Sequence, residues 1–77
     1  MEPIEVTLSD GEETFVLVAV PDPGGGWSPW FFRVVGERRM QNWPAAFRGM
    51  PSTFPTPGRC LLALAEVVVA ELCGVRT

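Results

Sequence analysis

One stretch, TPGRCLLALAEVVVAELCG at residues 56–74, restricts the folding choices of this chain more than any other. Thr56 is a good N-cap, Pro57 stands at the first helical position where its missing N–H is harmless, and Gly74 sits where a left-handed C-terminal residue belongs. A helix over Pro57–Cys73 is predicted. At 100° per residue Leu61, Leu64, Ala65, Val68, Val69 and Leu72 form one broad apolar stripe, with Arg59 and Glu66 opposite beside Ala63 and Ala70. Cys60 and Val67 fall outside that stripe next to Glu71, which suggests a second, narrower contact.

A single helix cannot bury its stripe alone, so the residues before it must supply a sheet. Ile4, Val6 and Leu8 alternate with Glu5, Thr7 and Ser9, the period of a half-buried strand, and Asp10-Gly11 follows as a type I′ hairpin signal. With Asp10 and Gly11 as the turn, Val6 is expected opposite Phe15 and Ile4 opposite Leu17. The second strand, Thr14–Val20, is apolar on both faces. Pro21-Asp22-Pro23-Gly24-Gly25-Gly26 ends it as a flexible hairpin loop, since a phosphate loop would need a following helix and lysine. A third strand, Trp30–Val35, offers Trp30, Phe32 and Val34 on one face, with Trp30 read as core, and Phe31 and Val35 around Arg33 on the other. Gly36-Glu37 turns the chain into a fourth strand over Arg38–Trp43, and residues 44–55 form an irregular loop with one helical turn at Pro44–Phe47. The expected fold is α+β, one domain over residues 1–77: an antiparallel meander of three to four strands packed against one C-terminal α-helix.

Such a chain is short of stabilising material. At 77 residues it removes little more than about 60% of its extended surface from water on folding. Cys60 and Cys73 lie about 20 Å apart along the helix, too far for a disulfide. With no histidine and two distant cysteines, no structural zinc site and no cofactor site is expected. The apolar run Leu61–Cys73 is interrupted by Glu66 and Glu71 and too short to span a membrane. The acidic start Met1-Glu2-Pro3-Ile4-Glu5 is unlike a signal peptide, so a cytoplasmic setting is expected.

Catalytic groups are scarce. Histidine and tyrosine are absent and all six basic residues are arginine, which leaves Cys60 near a helix N-terminus as the one candidate nucleophile; a buried thiol is the more common fate. No catalytic residues are assigned, and the chain is not expected to be an enzyme. Three of the six arginines gather in GGGWSPWFFRVVGERRMQNW (residues 24–43) with all three tryptophans, and residues 27–59 hold five arginines against Glu37, whereas Glu2, Glu5, Asp10, Glu12, Glu13 and Asp22 crowd the first third. Tryptophan and arginine dominate binding hot spots, so Trp27, Arg33, Arg38, Arg39, Trp43 and Arg48 are the expected contact surface.

The apolar second faces of strands two and three need a cover. Either the loop over residues 43–55 folds across them, or a second copy of the chain or another protein does. The expectation is therefore a non-enzymatic binding protein with a protein partner and a homodimeric habit, an intracellular regulator or inhibitor that masks its partner's surface. Its size and plan are shared by many small accessory proteins of bacteria and their phages. The alternative, a nucleic-acid-binding module using the same Arg/Trp surface, is opposed by the net charge of −3 and the pI of about 4.7, because such affinity rests on many cationic contacts.

Overall fold

The computed structural model describes residues 2–41 and 49–72. Four antiparallel strands, β1 (Ile4–Asp10), β2 (Glu13–Pro21), β3 (Trp27–Val35) and β4 (Arg38–Gln41), lie in sequence order, and one helix, α1 (Pro57–Leu72), packs against them. The expected Pro44–Phe47 turn, Trp43, Arg48, Cys73 and Gly74 lie outside the described residues.

The first hairpin is one turn residue off the sequence expectation. Asp10 pairs with Glu13, so Gly11 and Glu12 form the turn and Val6 faces Leu17, not Phe15. Gly11 has φ +60 and, among the described residues, no non-glycine residue has positive φ, which is the geometry of a turn with glycine first (II′), not of the I′ turn. The slide is two residues along the strand. A two-residue slide preserves faces, so Ile4, Val6 and Leu8 still share a face with Ala19, Leu17 and Phe15.

The glycine-rich loop is a closed turn. Asp22 accepts from Gly24 N (2.9 Å) and from Ser28 Oγ (3.3 Å) with its carboxylate and from Gly25 N (2.9 Å) with its carbonyl. Gly26 has φ +84, and a Cβ there would stand 2.9 Å from the Phe54 carbonyl oxygen. Glycine is required because another stretch of backbone approaches: Trp27 and Phe54 exchange N–H···O bonds of 2.8 Å in both directions. β3 accordingly begins at Trp27, three residues earlier than its composition suggested.

That shift decides what is core. Phe15, Leu17, Ala19, Trp27 and Phe31 meet Cys60, Leu64, Val67 and Val68 of α1 in one buried cluster. Phe31, not Trp30, is the β3 residue fully enclosed, and Trp30 is 38% exposed. Cys60 and Val67 are central to the buried helix face, while Val69 is 59% exposed. Two charges misdirected the periodicity. Arg33 shares the helix-side face with Phe31, its guanidinium 5.2 Å from the Phe15 ring centroid, and it pairs with Glu13 (3.1 Å) and Glu71 (3.8 Å). Both charged residues therefore stand on the buried sides of their elements, at the margin. Cation–π and partly screened ion-pair terms imply that Arg33→Ala lowers stability by about 1–2 kcal/mol in urea unfolding, whereas Arg38→Ala at an exposed position changes it by no more than about 0.5 kcal/mol.

On the other sheet face, Val16 and Val18 are 2% and 6% exposed. Val18 pairs with Trp30 and Val16 with Phe32, and those two rings stack at 6.3 Å. Glu5 on β1 and Arg39 on β4 join by two 3.1 Å bonds. Since β2 and β3 lie between these edge strands, the ion pair crosses the sheet over the Val16–Phe32 row. Residues 49–55 serve the helix side, where Met50 and Phe54 pack on the core.

Candidate functional site

A β-strand sends alternate side chains to opposite faces, and the tight Gly36-Glu37 turn fixes how β3 and β4 align. Gly36 has φ +63, Val35 pairs with Arg38, Val34 with Arg39 and Arg33 with Met40. Arg33, Val35, Arg38 and Met40 thus share the helix-side face. α1 lies over β2 and β3 and has little contact with β4, so this margin stays open: Val35 is 52% and Met40 54% exposed. The result is an apolar pair flanked by two guanidinium groups, adjoining a shallow cleft lined by Glu12, Glu13 and Gly36.

The six residues singled out from the sequence do not form one surface. Trp27 is a core residue at 9% exposure, not a loop aromatic available to a partner. Arg39 points to the opposite face from Arg38 and is held by Glu5. Arg33 is committed to Glu13, Glu71 and the Phe15 ring. Arg38 is exposed and has no ion-pair partner among the described residues. Trp43 and Arg48 lie outside them. Val35 and Met40 were missed, although the two-residue turn at Gly36-Glu37 already places them beside Arg38 and Arg33.

Cys60 is fully buried, and desolvation pushes its thiol up to about 11. Burial in an apolar cluster outweighs any lowering from the helix N-terminus, so Cys60 is not an activated thiolate. Thr56 caps that terminus as expected, its Oγ1 accepting from Arg59 N at 3.2 Å. No helix of the described residues is long and apolar enough to cross a membrane.

Comparison with models of protein families, with curated proteins and with solved structures finds no match.

Proposed function

We propose that the chain is a non-enzymatic binding protein, a cytoplasmic regulator or inhibitor that acts by covering a partner protein's surface, and that the β3–β4 margin makes the contact. The observation that carries this reading is the alignment of Val35 with Arg38 and Met40 with Arg33 on a face α1 leaves open. A partner suited to it has an apolar spot bordered by carboxylates, so that Met40 and Val35 are desolvated at the centre and Arg38 finds an acidic neighbour at the rim. Nucleic acid fits less well, because Arg33 and Arg39 already neutralise carboxylates of their own chain.

Capture from an extract of the source cell, using immobilised wild-type protein and the Met40→Asp and Arg38→Glu variants side by side, tests this reading. A partner protein retained by wild type should bind Met40→Asp at least about 30-fold more weakly, the loss of one hot spot, with the variant's melting temperature unchanged. Retention indifferent to both substitutions, or retention only of nucleic acid, would overturn it.

A further inference from the structure

The side of α1 turned away from the sheet carries a second apolar line. Leu62 is 63% and Val69 59% exposed, with exposed Gly58 at one end; half-buried Ala65 and Leu72, which also pack against the core, complete the line along its inner edge. The steps from 58 to 62, 65, 69 and 72 alternate four and three residues, the spacing of a seam between paired helices. On one flank, Ala63, Glu66 and Val67 look toward Met50, Pro51 and Phe54. The other flank, with Leu61, Ala65 and Leu72, therefore runs above β1, where Ile4 and Val6 are 40% and 36% exposed on the same side of the sheet.

Arg59 and Glu66 each follow a seam residue directly, so both border the same edge of the line, seven residues or about 10 Å apart along the helix. That distance is too great for them to pair with each other, and neither has an ion-pair partner among the described residues. A reversed copy of the same edge presents the opposite order of charge.

We propose that this line is the seat of a second copy of the chain, the two α1 helices packing antiparallel about a two-fold axis. Leu62 then meets the partner subunit's Ala65, Gly58 admits the partner subunit's Val69, and Arg59 faces the partner subunit's Glu66 twice by symmetry. In an antiparallel pair this edge faces its own counterpart. A parallel pair would instead set it against the flank carrying Leu61 and Val68, leaving both charges unmatched. An isologous contact of this kind requires every residue to complement its symmetry mate, and the Arg59/Glu66 edge does. A seam of three turns is smaller than the roughly 800 Å² per partner of a standard interface, so the association is weak.

Sedimentation equilibrium from about 1 µM to about 1 mM spans the affinities such a seam can have. The wild type should convert from monomer to dimer within that range. Arg59→Glu and Glu66→Arg, which set like charges against each other twice, should each weaken the dimer about tenfold or more. The double variant R59E/E66R restores both attractions and should return to within about threefold of wild type. Leu62→Glu should abolish the dimer, with circular dichroism confirming that every variant is folded. A monomer at all concentrations, single variants as tight as wild type, or a double variant as weak as the singles each overturn the proposal. None of these substitutions touches the β3–β4 margin, so capture of a different protein there stands or falls separately.

Discussion

Phe31→Ala should lower stability by about 3–5 kcal/mol, enough to unfold a chain at the low end of the range for its length, whereas Trp30→Ala should leave it folded. Removing a fully buried phenylalanine costs about 3–5 kcal/mol, and a domain of this length has about 4–12 kcal/mol in total. Phe31 is 0% exposed, stands 5.4 Å from the Phe15 ring and belongs to the cluster that joins sheet to helix. Trp30 is larger but 38% exposed, and its stacking on Phe32 is worth about 0.5–1.5 kcal/mol beyond area. Urea unfolding followed by far-ultraviolet circular dichroism measures both variants. A greater loss for Trp30→Ala than for Phe31→Ala would mean that the helix covers the opposite face of β3, and the assignment of Arg33, Val35, Arg38 and Met40 to one margin would fail with it.

The fold class was readable from sequence because each element carried its own local signal. Alternation in Ile4–Leu8, the caps Thr56 and Pro57, and glycines at turns are short-range features that no tertiary contact overrides here. Phase was harder to read. β3 is apolar on both faces, and α1 has alanines, valines and leucines nearly all round, so periodicity alone could not choose which side is buried. The two residues that seemed to settle it, Arg33 and Glu71, pointed the wrong way because they are on the buried sides and neutralise one another at the edge of the core. A charge marks the solvent side only when its partner is water.

The same limit applies to the site. Clustering in sequence suggested that Trp27, Arg38 and Arg39 act together, yet strand alternation separates Arg38 from Arg39 and the backbone pairing with Phe54 draws Trp27 inward. The surplus of apolar sheet was also only partly an argument for a partner. Arg39 reaches across two strands to Glu5, 34 positions away in the chain, and no local pattern announces such a contact. The pairing of Val35 with Arg38 and Arg33 with Met40 was accessible, since it follows from the length of the Gly36-Glu37 turn.

Cys60 should give the protein an alkaline limit that can be assigned to one atom. Its thiol is pushed up to about 11 in the fold against about 8.5 for an ordinary cysteine. The neutral thiol is thus favoured by folding, and its contribution is complete below about pH 8.5 and disappears as pH rises toward 11. The chain has no lysine, tyrosine or histidine, and the α-amino group titrates near 8, so thiols are the side chains that change charge in this window. In a Cys73→Ser background the urea midpoint should hold steady to about pH 8.5 and then fall continuously to pH 11. Adding Cys60→Ala should flatten that fall, whatever it does to the midpoint at pH 8. Thiol labelling at pH 8 should also lag that of the urea-unfolded chain by about a thousandfold or more, because Sγ becomes accessible only through opening and the equilibrium constant for unfolding is at most about 10⁻³. Prompt labelling of the folded protein, or an alkaline decline that survives Cys60→Ala, would place Cys60 outside the core and contradict the helix phase on which the exposed line through Leu62 and Val69 depends.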